Sequence, residues 1–479
     1  MLPKNLKYGN KVESAPSRSY RTNIAPQNGT GPYGLGDTII FNIPTRSNLV
    51  LAPAESYLKF NVNVTSGSAS SRFRWDACGA HGLFQRIRIF HGSNLIQDID
   101  NYGLLAKMLM DIQVPTDACY GKLNATSGTR SDLVARFPTF SNFASAGATI
   151  TNAEVTTGLN AQLTAIGAGV FQTNTGDTIG GTGTFNATAV ASQTYCLNLI
   201  SLIGSLCSSN YFPLFACSSA PLRVEIQLVD SAVKALSSVV APSTSAPPTA
   251  ITATNVEYVA QFIELSDVAI GMIQESLGDS PLQFVVPDYR NYQFNTSLPD
   301  ATTTQINMPI PAKFSSLKSL FVTIRDKSTG SATFFPYSSV RCGIVDYYFR
   351  VGSQVLPSKA PSTDAEMFSE MLKAIGSLSD IHHQPSIDRF SYNLNVSVVN
   401  VEPNANVSSG SFYIGMDLEN YAGSSKDSIF AGYNSNTEDI FLVANFNNTT
   451  GGALTPRLDA FALFDEVIVF ENGTCYVKF

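Results

Sequence analysis

Alternation of apolar and polar positions with period two dominates this chain. Leu58, Phe60, Val62 and Val64 alternate with Lys59, Asn61, Asn63 and Thr65, and Leu222, Val224, Ile226 and Leu228 alternate with Arg223, Glu225, Gln227 and Val229. A third run sets Phe390, Tyr392, Leu394, Val396 and Val398 against Ser391, Asn393, Asn395, Ser397 and Val399. Such runs bury one face of a strand and leave the other polar, the signature of antiparallel sheets in a sandwich or barrel. Further strands are expected at 38–43, 84–90, 256–265, 282–287, 304–310, 317–325, 343–351, 410–417, 439–446 and 460–470. Many short strands with turn-rich joints and few helices predict an all-β sandwich or jelly roll.

Helical periodicity is confined to two or three places. Leu104, Leu105, Met108, Leu109 and Ile112 form one stripe, stopped by Pro115; Met367, Phe368, Met371, Leu372 and Ile375 form a second, ended by Gly376. The second has a capping box, Thr363-Asp364-Ala365-Glu366. Each stripe predicts a helix with one apolar face, held to a core by side chains worth ~1.5–3 kcal/mol each when buried. A third segment, 266–277, reads as a linker helix before the break at Gly278-Asp279-Ser280-Pro281.

The two stripes belong to a repeat. Arg86-Ile87-Arg88-Ile89-Phe90 runs through His91 into Gly92-Ser93-Asn94-Leu95-Ile96 and the first helix. Val345-Asp346-Tyr347-Tyr348-Phe349-Arg350 runs through Val351 into Gly352-Ser353-Gln354-Val355-Leu356 and the second. This reads as a strand–turn–helix unit occurring twice, with the stripes offset by 263 positions and the turns by 260. Phe41-Asn42-Ile43-Pro44 answers Ile306-Asn307-Met308-Pro309, and Gly67-Ser68-Ala69 answers Gly330-Ser331-Ala332, in the same order. The chain therefore divides into a first unit at 36–265, a linker at 266–281 and a second unit at 282–479. For 479 residues, two units of this size each hold their own core.

Charge changes the picture in two ways. Charged residues make up 14% of the chain, well below the ~25% typical of globular proteins, which suits faces covered by copies of the same protein or by uncharged polar loops. The net charge of −7 argues against a surface that coats nucleic acid. The start of the chain is the exception: Lys4, Lys7, Lys11, Arg18 and Arg21 stand against Glu13 alone before Asp37, so 1–35 reads as an extended basic arm or a solvated tail. The first 35 residues hold no apolar run of signal-peptide type, so secretion is not expected. The longest apolar run, 196–207, is shorter than the ~20 residues a membrane span needs and reads as buried core. Seven scattered cysteines without C-x-x-C spacing fit reduced thiols. Residues 121–195, rich in Thr, Ala, Gly and Asn, read as a large outward loop, and 231–254, with Pro242, Pro247 and Pro248, as a second.

No catalytic, cofactor or metal constellation can be assembled. His382 and His383 are adjacent and point apart, while His81 and His91 flank a strand without metal-ligand spacing. Gly29-Thr30-Gly31-Pro32-Tyr33-Gly34 matches a dinucleotide fingerprint by letter, but no strand is expected before it and no helix after it. Asp98/Asp100 and Asp465/Glu466 are explained by helix capping or solvated edges.

The run from His91 through Gly92-Ser93-Asn94-Leu95-Ile96-Gln97-Asp98-Ile99-Asp100-Asn101-Tyr102 to Leu104-Leu105-Ala106-Lys107-Met108-Leu109-Met110-Asp111 resembles the first-barrel signature of double jelly-roll major capsid proteins. Those of Polinton-like viruses and virophages, in the adenovirus-like double-barrel lineage, are the nearest in pattern. The strand at Ser56-Tyr57-Leu58-Lys59-Phe60 and the tandem second half fit as well; 121–195 has no counterpart. The resemblance implies two eight-stranded jelly rolls standing on a capsid surface, each with a flanking helix, and no catalytic residues. It implies homotrimers that form pseudo-hexameric capsomers in the icosahedral shell of a dsDNA virus. Neighbouring capsomers, penton proteins and other minor capsid proteins would be partners. The loops at 121–195 and 231–254 would form outer towers. The arm, through Lys4, Lys7, Lys11, Arg18 and Arg21, would lie on the inner face against such partners, an internal membrane or the genome. A carbohydrate- or receptor-binding double β-sandwich, spike or lectin-like, is the alternative, and a β-rich hydrolase a weaker one.

Overall fold

The computed structural model describes residues 17–65, 72–129, 170–172, 177–178, 184–185, 192–208, 210–238, 248–278, 280–326, 335–375, 385–387, 389–396, 409–419, 432–450 and 452–478. In the first half the two main sheets begin with strands β1 (Ser17–Ile24), β2 (Thr38–Ile43), β3 (Leu49–Leu51), β4 (Tyr57–Thr65), β5 (Phe84–His91) and β6 (Asn94–Asp100). Helix α1 (Tyr102–Gln113) follows, then β7 (Ser192–Leu197), β8 (Leu222–Leu228), β9 (Ala250–Leu265) and α2 (Asp267–Leu277). The second half has β10 (Leu282–Asn295), β11 (Thr302–Ile310), β12 (Leu317–Arg325), β13 (Ile344–Val351), β14 (Gln354–Leu356), α3 (Asp364–Ile375) and α4 (Arg389–Tyr392). It ends with β15 (Tyr413–Asp417), β16 (Ile440–Asn448), β17 (Arg457–Glu471) and β18 (Thr474–Lys478).

The strand order makes the repeat explicit. One sheet of the first half runs β1-β9-β4-β7, with β3 added on β9, and faces a sheet β2-β8-β5-β6. The second half runs β10-β17-β12-β15, with β18 added on β17, and β11-β16-β13-β14. Leaving aside the added strands β3 and β18, these are the same two orders: first, eighth, third, sixth; and second, seventh, fourth, fifth. All pairings are antiparallel, which is the jelly-roll arrangement. The alternation read from β4 and β8 holds, since Leu58, Phe60, Val62, Val64, Leu222, Val224, Ile226 and Leu228 are all buried.

Three local expectations are corrected. The repeated unit is strand–turn–strand–helix: after Gly92 and Gly352, both at positive φ, the chain turns back as β6 and as β14 before entering its helix. The alternating run at 390–398 is not a strand where it is described. Arg389–Tyr392 is a helical turn closed by the Asn393 N–H on the Arg389 carbonyl, and Tyr392 packs on Phe368 and Phe412. Residues 397–398 lie outside the described residues. Strand pairing also begins earlier than expected, because Ser17–Ile24, read as arm, pairs along its whole length with β9.

The two helices do not share one environment. The capping box of α3 forms as drawn, with the Glu366 N–H donating to the Thr363 hydroxyl and Glu366 accepting from the backbone of Ser362 and Thr363. Helix α3 lies on β15, where Gly415 leaves room: a Cβ there would sit 2.7 Å from the Met371 Cα. Helix α1 is instead buried on every side from Tyr102 to Ile112, Lys107 and Asp111 included, because the second half covers what would be its polar face. Most of 121–195 lies outside the described residues; its last residues belong to the core strand β7. Replacing Gly415 with Val should force α3 off β15 and cost about 1–3 kcal/mol, as for other overpacked core sites. A urea midpoint unchanged from the parent protein would refute that packing account.

Candidate functional site at the seam between the two halves

The residues singled out as an arm fall in two groups. Lys4, Lys7 and Lys11 lie outside the described residues. Arg18 and Arg21 are exposed on β1, opposite Glu264 and Gln261, with the Arg21 guanidinium 5.6 Å from the Tyr57 ring. They therefore belong to the edge of a sheet.

The two histidines among the described residues serve structure. Burial pushes His81 down to about 4, so its Nδ1 accepts from the Tyr102 hydroxyl at 2.9 Å while that hydroxyl accepts from the Ile200 N–H. His91 Nδ1 accepts the Cys475 N–H at 3.1 Å, tying β5 to β18 of the other half. His382 and His383 lie outside the described residues. The glycine-rich stretch 29–34 has a strand before it after all, β1, but leads into β2 and not into a helix. All seven cysteines are free thiols, and among the described residues no three His, Cys, Asp or Glu side chains converge as metal ligands.

What the structure does concentrate is polar contact between the halves. The Lys107 ammonium, with no exposure, lies 2.7 Å from Asp111 Oδ2 one turn on. Its remaining donors reach the Gly410 carbonyl at 2.8 Å, the Tyr413 hydroxyl at 3.0 Å and Ser411 Oγ at 3.3 Å, all in the second half. Tyr413 in turn donates to Asp111 at 2.7 Å. A buried ion pair holds only when its spare donors and lone pairs are also satisfied, and here the second half satisfies them. Nearby, Asp76 accepts the Tyr337 N–H, and the Tyr337 hydroxyl donates to the Gly82 carbonyl, both at 2.8 Å. Gly103 is required for that approach, since a Cβ would stand 2.5 Å from the Tyr337 oxygen.

A second patch lies where β6 meets β10. Gln97 donates to Asp288 at 2.7 Å and accepts from the Leu202 N–H, and Asn101 donates to Asn291 at 2.7 Å. Phe212 of the first half packs edge-on against Phe284 and Phe470 of the second. Between these contacts sits Glu466, which the sequence reading placed at a solvated edge. It is 1% exposed, and neither carboxylate oxygen has a hydrogen-bond partner. Its charged neighbours, Asp288 and Arg290, lie on the adjacent strand β10 of the same half. Asp465 is also buried, but is held by Lys318 at 3.0 Å and the Ser316 hydroxyl. Asp98 is held by Arg86 through two short hydrogen bonds. Desolvation raises Glu466 far above the usual carboxylate range, reinforced by Asp288 and opposed by Arg290; Asp288 is raised by burial and pulled back by Gln97.

The sequence missed this seam because neither Lys107 nor Glu466 departs from an ordinary surface pattern within its own element. One signal was present: Lys107 and Asp111 are spaced i, i+4 inside a stripe otherwise continuous in apolar residues.

No family model matches this chain, and no curated protein matches its sequence. Solved structures do. VP54 of PBCV-1, fitted into a reconstruction of the virophage Sputnik, is similar over 99% of this chain and 100% of its own, with a TM-score of 0.61 at 10% identity. The Sputnik virophage structure is similar over 100% of this chain and 92% of its own, with a TM-score of 0.55 at 10% identity. The mavirus major capsid protein is similar over 99% and 92%, with a TM-score of 0.50 at 12% identity.

Two outcomes follow from the seam. Replacing Asp111 with Ala leaves the Lys107 charge buried without its counter-ion and should cost about 3–5 kcal/mol. Replacing Lys107 with Met and Asp111 with Leu together should cost much less. Equal losses in denaturant titrations of the two variants would contradict the assignment. Glu466 binds its proton more tightly folded than unfolded, so its contribution is complete below the ordinary value of ~4.3 and is lost as pH rises toward the raised native value. Between pH 6 and pH 9, Glu466→Gln should lose less stability than the parent, by up to about 1.4 kcal/mol per pH unit inside that window. Parallel stability curves would show that Glu466 ionises freely.

Proposed function

We propose that this chain, which has the double jelly-roll fold of the viral proteins just compared, is a structural major capsid protein of an icosahedral virion. The observation that carries the reading is the pairing of two barrels of identical strand order through a buried polar seam. A seam of that kind fixes the angle between the barrels. A shell subunit needs that fixed angle, because its outer faces must meet neighbouring copies at set positions. The reading extends to trimers of this chain acting as pseudo-hexameric capsomers, with the long connections from α1 to β7 and from β8 to β9 outward as towers. Neighbouring capsomers and penton or other minor capsid proteins are the partners. Lys4, Lys7 and Lys11 are proposed to contact the shell's inner side, whether minor proteins, a membrane or the genome. No enzymatic role is proposed.

The lectin-like reading lacks support at the residue it would need. Trp75, the only tryptophan, is fully buried with its indole N–H on the Tyr195 hydroxyl at 2.9 Å, so it offers no sugar platform.

Expression of the full chain followed by electron microscopy tests the proposal. Closed shells or six-lobed particles are expected; a monodisperse single chain at every concentration would refute it. Removing residues 1–16 should leave the particle's building block intact but reduce shell yield. Removing 1–30 also deletes β1 and should destabilise the first barrel. Equal shell yields from the full chain and the 1–16 deletion would remove the role given to the three lysines.

A further inference from the structure

At one end of the seam, residues 217–219 of the first half run beside residues 473–475 of the second. The Ser219 N–H donates to the Gly473 carbonyl at 3.1 Å, and the Asn94 side-chain amide donates to the Cys475 carbonyl at 3.2 Å. The approach needs a glycine, since a Cβ on Gly473 would stand 2.5 Å from Ser218 Oγ. His91 lies between the two segments. Its Nδ1 accepts the Cys475 N–H at 3.1 Å, so its Nε2 carries the ring proton and donates to the Cys217 carbonyl at 3.4 Å. One neutral imidazole thus fixes the backbone of both cysteines. Their side chains meet as well: the Cys475 thiol is hydrogen-bonded to the Cys217 thiol, and neither residue has any exposure.

We propose that Cys217 and Cys475 form a site of oxidative modification, a latent disulfide that staples the first barrel to the second. Buried cysteines often serve only as small apolar side chains, but three observations set this pair apart. The thiols belong to different halves, so a bond between them crosses the seam. They are already in contact, so reaching the ~2.05 Å of a disulfide asks for rotation of two side chains and not for movement of a barrel. They also lie just beneath the surface. Exposed Ser218 and Ser219 follow Cys217, and a cleft of about 530 Å³ is lined by Phe215, Ala216, Pro281, Asn472 and Gly473, close in sequence to both cysteines. Two thiols beside an imidazole could also suggest a metal, but both His91 nitrogens are occupied by backbone groups.

The oxidant is a small-molecule disulfide entering by that cleft. Contact with Cys217 and burial raise the Cys475 thiol, so Cys475 stays protonated at neutral pH and enters second. Cys217 gives up its proton and attacks one sulfur of the small disulfide, whose S–S bond breaks and whose departing half takes up a proton. Cys475 then loses its proton and attacks the Cys217 sulfur of the mixed disulfide, expelling the other half as a second thiol. The two protein sulfurs lose two electrons in all, and the small disulfide gains them. The pair stays open in a reducing compartment and closes in an oxidising one. A chain carried from the first to the second therefore acquires a covalent joint between its barrels.

Oxidation of the folded full chain tests the proposal. Protein purified under reductant is incubated with oxidised glutathione in mildly alkaline buffer, then mapped by peptide mass and unfolded in denaturant. The chain should lose the mass of two hydrogens and give one linked peptide pair, holding Cys217 and Cys475. Its denaturant midpoint should rise above that of the reduced chain, because the link constrains the unfolded state. Dithiothreitol should reverse both changes, and Cys217→Ser or Cys475→Ser should abolish both. A folded parent chain that keeps both thiols after prolonged exposure would overturn the proposal. So would glutathione held on one cysteine without the link, or links between other cysteines. A Cys217–Cys475 link that leaves the midpoint unchanged would overturn its role as a staple.

Discussion

The Lys107–Asp111 pair, completed by Tyr413 and the Gly410 carbonyl, is the constraint on which the arrangement of the two barrels depends. An ammonium buried without exposure is tolerable only if each of its protons has an acceptor. Three of its four partners, Gly410, Ser411 and Tyr413, come from the other barrel. Sliding or rotating one barrel against the other would strand the charge, so the seam has one satisfied geometry. Apolar contacts such as Phe212 against Phe284 and Phe470 add adhesion, but they would tolerate several orientations. The polar network selects among them.

The duplication explains why the two copies of one motif have different surroundings. Helix α3 keeps the surface role its amphipathic stripe announces, with a solvated cap and one face on Gly415. Helix α1 descends from the same unit but serves as the wedge between barrels and is buried all round. Likewise β10 is covered and β1 is open. Each difference follows from the same fact, that within one chain the first barrel donates a face and the second accepts it.

Much of the architecture was legible in the residues. The alternation in β4 and β8, the two helical stripes, the capping box at Thr363 and the ordered repeat all come from local patterns, and local patterns survive in the folded chain. Strand β1 was not legible because an edge strand with an exposed face shows no alternation: only Tyr20 and Ile24 of its eight residues are apolar. The run at 390–398 misled for the opposite reason, since Tyr392 is buried by packing on Phe368 of α3 and not by pleating, while Phe390 is exposed. Glu466 and Lys107 could not be placed at all from their own segments. The partners of Lys107 lie some three hundred residues away in the other barrel and the neighbours of Glu466 on a separate strand of its own barrel, and no window along the chain contains that information.

The central claim is that the two barrels form one mechanical unit through their seam. Equilibrium unfolding followed by two probes tests it most directly: fluorescence of Trp75, buried in the first barrel, and mass-resolved thiol labelling of Cys342, buried in the second. A closed polar seam predicts that both signals change over the same denaturant range with one midpoint. If Cys342 became reactive while Trp75 stayed native, or the reverse, the barrels would be independent domains and the account of the seam would fail.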